Sequence, residues 1–424
     1  MLDIAFIREN PNEVKKACQV KQLDSSIVDS LLAVDTKRRE LIAQAQTLRE
    51  QANKNSDEVK MQVMESGKPS PELIEKGKSL KSQLKDVEPE LKLVEEEFSS
   101  LMLEVPNVPA ADVPVGKDEA ENQVVREEGN LPEFSFEPKD HQELMESLNI
   151  LDTRRAVKIA GFRGYFLRGD GLLLERALLD YALDIMTKHG FEPMSVPVMV
   201  KKEAMVGTGY FPWGKEDHYK TQDDTILTGT AEVALTAFYT GETLSEKDLP
   251  IKMAGISPCF RREVGSYGKD TKGVIRVHQF NKVEQVVYTV ADEEITREWH
   301  QKMLGFSEEV LTGLGLPYQI LLMCTGDMGA GQRKKYDIET WFPAQNKYRE
   351  THSASYFNDF QSRRLNIRYQ AKDGTLKHVY TLNNTVAASP RLLAAIIENY
   401  QQEDGSIKVP EVLQPYMKKE VISQ

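Results

Sequence analysis

Two runs of apolar residues, spaced alternately four and three apart, constrain the first hundred positions more tightly than anything else in the chain. Ile27, Leu31, Val34, Arg38, Leu41, Ala45, Leu48, Ala52, Asn55, Val59 and Gln62 form the first run, and eight of the eleven are apolar. Leu73, Gly77, Leu80, Leu84, Val87, Leu91, Val94, Phe98 and Leu101 form the second, broken only by Gly77. This is a heptad seam in two helices. Between them stand Ser66-Gly67-Lys68-Pro69-Ser70-Pro71-Glu72, a breaker cluster ending in a helix cap at Ser70 and a first-turn proline. The short turn predicts an antiparallel hairpin over about 27–101, with a kink at Pro89. At 1.5 Å per residue each arm is roughly 50–60 Å long, too long to pack along its whole length on an ordinary domain. A coiled coil that joins copies and an arm that reaches an extended partner both fit the pattern.

With 424 residues the chain calls for more than one folding unit. The proline-rich stretch Val105-Pro106-Asn107-Val108-Pro109 to Val113-Pro114-Val115-Gly116, followed by acidic residues to Asn130, reads as a linker over 105–130. Residues 1–104 are then a helical domain and 131–424 a second one. The three cysteines, Cys18, Cys259 and Cys324, give neither a disulfide framework nor a zinc spacing. Together with the lack of a signal pattern or membrane-length apolar run, they predict a cytoplasmic protein without structural zinc. A net charge of −12 argues against nucleic acid, but its distribution weakens that objection. Between Lys37 and Glu104 there are twelve basic and fourteen acidic residues, so nearly all the excess lies elsewhere. Lys76, Lys78, Lys81 and Lys85 form a stripe with no carboxylate between them, which suits phosphates as well as a solvated helix face.

Beyond Gly171 the pattern changes. Leu174, Leu178, Tyr181 and Ile185 mark an amphipathic helix closed by Gly190, and the extended Phe191–Val198 follows. Alternating segments with glycine-rich connections come next, then an apolar helix after Arg391. The fold class expected is α+β, an antiparallel sheet flanked by helices. The segment Cys259-Phe260-Arg261-Arg262-Glu263, a loop with Gly265, Gly268 and Gly273, and Ile275 to Glu284 is the most informative. Period-two alternation would put Arg276, His278, Lys282 and Glu284 on one face and Ile275, Val277 and Val283 on the other. An outer, solvated sheet face would show the same alternation. Polar clusters at Thr228–Glu232, Tyr336–Glu339, Arg349–Ser353, Asn383–Thr385 and Arg391 recur in this half, supplying what a triphosphate, a divalent metal and an ammonium group require. Neither GxxxxGK[ST] nor a GxGxxG after a strand is present.

Phe260-Arg261-Arg262-Glu263, the glycine loop and Arg276-Val277-His278-Gln279-Phe280 resemble motif 2 of class II aminoacyl-tRNA synthetases, and Gly268 to Glu284 is similar to the seryl family in particular. Pro197 resembles the motif 1 proline of the dimer interface, and Arg391 with its helix resembles motif 3. Thr325–Gly329, Pro343–Asn346 and Asp359–Arg364 are also seryl-like. The resemblance covers essentially the whole chain, because that family also carries an N-terminal antiparallel coiled-coil arm. It implies an ATP-dependent ligase that activates L-serine and transfers it to the 3′ end of serine tRNA, with selenocysteine tRNA left open as a second acceptor.

The resemblance further implies a homodimer, Mg²⁺ as cofactor, and an arm that contacts the tRNA. By position, Arg261 would grip the α-phosphate, Glu263 the adenine amino group and Arg391 the γ-phosphate. Glu350 and Ser353 would hold Mg²⁺, and Arg262, Val277, Thr351 and His352 would complete the ATP side. Thr230, Ala231, Glu232, Glu284 and Thr385, with Arg261, would form the serine pocket. The sequence departs from the family at Thr385, usually serine, at Pro390, usually glycine, and at His352, usually a small residue. A threonyl or prolyl enzyme, a paralogue that charges a carrier protein and an inactive coiled-coil scaffold are the competing readings.

Overall fold

A computed structural model of the chain describes residues 1–264 and 273–424. Gly265 and Gly268, expected in the motif 2 loop, lie outside the described residues. Two compact units result. One contains Leu2–Gln19 and Leu23–Pro106, the other Met1, Val20–Gln22 and Asn107–Gln424.

The first unit is dominated by two long helices, α1 (Ser26–Ser66) and α2 (Pro71–Glu104). Leu41, Ala45, Leu48, Leu80, Val87 and Val94 bury the seam between them. Gly67 ends α1 in the left-handed conformation at φ 78°, which suits a residue without a Cβ. The Ser70 hydroxyl starts α2 by accepting from the Leu73 N–H. The helices run antiparallel, with Lys37–Glu90 and Arg49–Glu88 ion pairs across their exposed flanks. The polar seam positions have partners. Arg38 lies 4.4 Å over the Phe98 ring and 3.3 Å from Asp35. Asn55 donates to the Leu73 carbonyl at 3.1 Å, and Gln62 accepts from the Ser70 N–H. Gly77 makes the room, since a Cβ there would stand 3.1 Å from the Asn55 amide. Helix α2 continues through Pro89.

The second unit is built on an eight-stranded sheet. Its strands are β1 (Gln123–Glu128), β2 (Glu192–Ser195), β3 (Ile251–Phe260), β4 (Gln279–Thr289), β5 (Tyr318–Leu322), β6 (Lys334–Phe342), β7 (Lys347–Asn358) and β8 (Tyr380–Ala388). They lie in the order β1-β5-β6-β7-β8-β4-β3-β2. All neighbours are antiparallel except the edge pair β2 and β3. Three helices, α3 (Asp170–Lys188), α4 (Glu293–Gly313) and α5 (Ser389–Asn399), pack on one face and form the main core with it. Leu174, Leu178 and Ile185 of α3 are buried there as their spacing predicts, and Gly190 follows at φ 74°.

The stretch 105–130 carries structure that a proline-rich linker would not. The Asn107 N–H donates to Ala330 O, the Ala110 N–H donates to Arg333 O, and β1 pairs with β5 at the sheet edge. Prolines lack a donor but leave these intervening amides free to bond, and an exposed edge strand needs no apolar face. The expected alternation from Ile275 to Glu284 also changes. Strand β3 ends at Phe260 and β4 begins at Gln279, so Arg276 and His278 lie in a turn rather than on a strand face.

Candidate active site

The face of the sheet away from the helices opens into a polar cleft. Within β4, Val283 and Val287 enter the core, and the Gln285 amide bonds to Met303 O of α4. Phe280, Lys282 and Glu284, pointing the other way, line the cleft. The residues just after β3, the middle of β7, the second half of β8 and the start of α5 supply other walls.

One end is acidic and hydroxyl-rich. Glu284 sits 2.5 Å from the buried Lys282 ammonium and accepts from the Thr385 hydroxyl at 3.2 Å. Glu232 accepts from the Tyr210 hydroxyl at 2.8 Å and from the Gln361 amide at 3.0 Å. Burial, then the nearby Glu284 charge, push its carboxyl up to about 7 against the pull of Tyr210, Lys282 and Gln361. This end therefore holds two carboxylates that a cation would satisfy.

The other end is governed by arginines. Arg391, in the first turn of α5, donates from Nη1 to Glu350 O and to Glu350 Oε2, and from Nε to Ile275 O. Desolvation is the largest influence on the Glu350 carboxyl and raises it, but Arg391, Lys335 and Arg261 together outweigh it and hold it at about 2. Arg276 clasps Glu263 at 2.6 Å. Glu263 sits in the left-handed region at φ 56°, which an L residue adopts at some strain. The Arg261 guanidinium lies 5.2 Å over the Phe280 ring and feels Tyr210 as well as Glu350 and Glu263. Among the described residues no carboxylate forms an ion pair with it. Anions entering here would meet two arginines whose charge is only partly neutralised.

His352 is buried, with Nε2 3.1 Å from Val386 O and Nδ1 2.8 Å from the Thr351 hydroxyl. Burial pushes its imidazole down to about 4, the Val386 bond opposing, so it is neutral at neutral pH. Pro390 occupies the first turn of α5, where a missing N–H leaves no bond unmade. The segment that starts at Gly273 is anchored from outside the cleft. Gly273, at φ 65°, would place a Cβ 2.0 Å from His141 Nε2, and His141 is itself bonded to the buried Glu398 at 2.7 Å.

Of the residues expected from sequence, Glu232, Arg261, Glu263, Val277, Glu284, Glu350, Thr351, His352, Ser353, Thr385 and Arg391 line the cleft. Thr230, Ala231 and Arg262 do not. Thr230 accepts from the Glu232 N–H, and Ala231 is fully buried beneath Gly255. Arg262 turns aside to donate to Glu216 O, because β3 has already ended. Tyr210, Lys282, Gln332 and Asn383 line the cleft without having been singled out. Lys282 was visible in the alternation and Asn383 in its polar cluster, whereas Tyr210 and Gln332 carry no sequence signal.

Two family models match the chain. "Seryl-tRNA synthetase N-terminal domain" covers residues 1–109, and "tRNA synthetase class II core domain (G, H, P, S and T)" covers residues 216–400. The serine–tRNA ligase of Deinococcus radiodurans is 45% identical over 100% of this chain and 99% of its own length. The crystal structure of seryl-tRNA synthetase from Pyrococcus horikoshii complexed with ATP superposes with a TM-score of 0.92 at 38% identity, covering 100% of this chain and 99% of the other. The cytoplasmic serine–tRNA ligase of Naegleria fowleri in complex with AMP superposes at 0.88 and 33% identity, with the same coverage.

Proposed function

The chain belongs to the seryl-tRNA synthetase family, and from that premise we propose that it activates L-serine with ATP and transfers it to the 3′-terminal adenosine of serine tRNA. Selenocysteine tRNA, whose acceptor end presents the same chemistry, is a second candidate acceptor. The observation that carries the reading is the two-ended cleft, with Glu232 and Glu284–Thr385 at one end and Arg391–Glu350 at the other.

Serine's ammonium would lie against Glu232, and its hydroxyl against Glu284 and Thr385. Alanine would set a methyl against those buried polar groups and return no hydrogen bond, which penalises it more than a lost apolar contact. Arg261 would hold the α-phosphate, Arg391 the γ-phosphate, and Glu263 with Val277 the adenine. Serine's carboxylate oxygen bonds to the α-phosphorus as the bond to the leaving pyrophosphate breaks. An already ionised carboxylate needs no base, so positioning and charge neutralisation supply the rate. The ribose hydroxyl of tRNA then attacks the acyl carbon, AMP leaves and the hydroxyl proton is lost.

Glu350 and Ser353 offer Mg²⁺ one ionised carboxylate and one hydroxyl. Among the described residues no three His, Cys, Asp or Glu gather as a cage, which suits an ion bound chiefly by phosphates and waters. Bound there, Mg²⁺ would neutralise phosphate charge. A homodimer is supported by an apolar groove beside Pro197 where Met199 and Phe238 are 61% and 52% exposed. No helix among the described residues is long and apolar enough to cross a membrane, and a cytoplasmic location fits that. The helical unit before residue 105 would be the tRNA-binding domain and 131–424 the catalytic one, with 105–130 joining them. ATP–pyrophosphate exchange across a panel of amino acids tests the reading. Serine should drive exchange, and a preference for threonine, proline or alanine would reject it.

A further inference from the structure

The backbone ladder between β7 and β8 runs from Asn358 opposite Thr381 to Ala354 opposite Asn384, and stops there. Toward the cleft the two strands part, and each is bulged just where they do. On β7 the register to β6 shifts between the His352 and Glu350 pairings, so Thr351 faces no partner residue. On β8 the register to β4 shifts between Thr385 and Ala387, leaving Val386 without one. From β7 the His352 imidazole reaches across this gap, with Nε2 bonded to Val386 O at the β8 bulge and Nδ1 to the hydroxyl of Thr351, its own neighbour at the β7 bulge. Nε2 faces a carbonyl, which only accepts, so it carries the ring proton. Nδ1 accepts from Thr351, whose hydroxyl oxygen is 2.7 Å from that of Thr340 on β6. A chain of side-chain bonds therefore runs from β6 through β7 to β8, and its last link crosses where the β7–β8 ladder has ended.

The bridged residues adjoin the two halves of the cleft. Glu350 and Ser353 flank Thr351 and His352 on the phosphate side, and Thr385 precedes Val386 on the serine side. Resting on the reading of the cleft given above, we propose that His352 is a positioning residue that pins the two bulged strands together and fixes the phosphate half of the cleft relative to the serine half. It touches neither reacting atom. Its contribution is the alignment of the two substrates, and a misplacement of about 1 Å in such an arrangement lowers rate about a hundredfold. Each half keeps its own contacts when the bridge is lost, so rate should suffer more than the affinity for either substrate alone.

The test compares His352→Gln, His352→Phe and Thr351→Val in the full chain, by serine-dependent pyrophosphate exchange with both substrates varied. Gln can still donate to Val386 O and accept from Thr351, so H352Q should keep kcat within about threefold of the unchanged chain. Phe fills the space without either bond, so H352F should lose about 30- to 100-fold in kcat, with the KM for ATP and for serine each moving less than about fivefold. Thr351→Val removes one end of the bridge and should fall between them. A purely structural role predicts a lower melting temperature with kcat intact at permissive temperature, and that result for H352F overturns the proposal. So does H352Q performing no better than H352F. Should H352F not fold, H352Q at the unchanged rate with T351V slowed supports the bridge, and the reverse order overturns it. An unsubstituted chain that showed no serine-dependent exchange would instead remove the reading of the cleft on which the proposal rests.

Discussion

The arm and the cleft both place polar groups where apolar ones would be expected, and they use them for opposite ends. In the arm, the seam is apolar and each polar exception meets one or two partners. Arg38 meets Phe98 and Asp35, Asn55 meets the Leu73 carbonyl, and Gln62 meets the Ser70 amide. Such isolated groups, each bonded to a group of the hairpin, set register between helices, since a slip by one heptad would break each of those contacts. In the cleft, polar groups crowd together, and several are held in states that only a ligand would relieve. Two carboxylates face one lysine at the serine end, with Glu232 pushed up to about 7. An isolated polar residue that meets its own partner thus speaks for architecture, and a crowd with mismatched charge speaks for binding.

If this division is right, the two units should fail in separable ways. Deleting residues 27–101 should leave serine-dependent pyrophosphate exchange within about threefold of the full chain, since no cleft residue lies there. Aminoacylation should fall by at least about a thousandfold through loss of the tRNA phosphate contacts. Aminoacylation by the deleted chain at the full rate would make the arm purely structural, and loss of both activities would merge the two units into one.

The converse change is Glu284→Gln, which keeps the shape and removes the charge. Lys282 is then buried without its counter-ion and the serine hydroxyl loses its strongest acceptor. Serine-dependent exchange should drop about a hundredfold or more in kcat/KM, with the KM for ATP nearly unchanged. Preference for serine over alanine should shrink with it. Undiminished preference would mean that the hydroxyl is read elsewhere.

How far each region could be read beforehand follows from the same contrast. The arm's signal is local and periodic, so both helices, the turn and the cap at Ser70 were legible, although nothing in the pattern said why Gly77 and Asn55 break the seam. They stand opposite each other, one making room for the other, and that pairing exists only across the fold. In the cleft, alternation worked within Phe280–Glu284, where a true strand runs. It failed from Ile275 to His278, where the chain turns, and the bulges at Thr351 and Val386 leave no mark in the sequence. Arg262 lies off the cleft because β3 ends at Phe260, and that end leaves no sequence mark. Motif resemblance supplied most of the remaining site, since residues from 210 to 391 meet there and periodicity carries no information over such distances.

A pH series sharpens the contrast without any deletion. Glu232 must be ionised to hold an ammonium, and its carboxyl sits at about 7, raised first by burial and then by Glu284. Below that pH serine has to displace a proton, so its KM should rise about tenfold per pH unit as pH falls, and level off above 7. The folded value lies above the ordinary carboxylate range, so the folded state holds more protons between about 4.5 and 7. The stability this group contributes is accordingly greatest below that window and is lost as pH rises through it. A serine KM that stayed flat from pH 6 to 8 would remove Glu232 from ammonium binding.

Charge on the arm should matter only for the RNA. Lys78, Lys81 and Lys85 are exposed on α2, and the ion pair between Lys78 and Glu75 is loose at 3.8 Å. Replacing the three by Ala should raise the tRNA KM about tenfold and flatten its logarithmic salt dependence by about two to three units, with exchange untouched. An unchanged salt slope would move the RNA contact to another face of the arm.

The smallest expected effect tests whether the polar seam residues hold register. Asn55→Ala removes one hydrogen bond to the Leu73 carbonyl, which still has its own helical partner, so no group is left bare and the loss should be about 1 kcal/mol. The cut is local, because the hydrophobic seam from Leu41 to Ala45 and from Val87 to Val94 is untouched. In the full chain this should appear as roughly fivefold faster amide exchange around residues 55 and 73, at the turn end of the hairpin. Catalytic-unit amides and pyrophosphate exchange should not change. Filling the same position with Leu separates bond from register. An apolar side chain of nearly the same shape opposite Gly77 strengthens the seam, yet it no longer penalises a slipped pairing. If Asn55→Leu left the turn end as well protected as before and the tRNA KM unaltered, Asn55 would be a tolerated polar residue rather than a register device, and the distinction between lone and crowded polar groups would lose its clearest case.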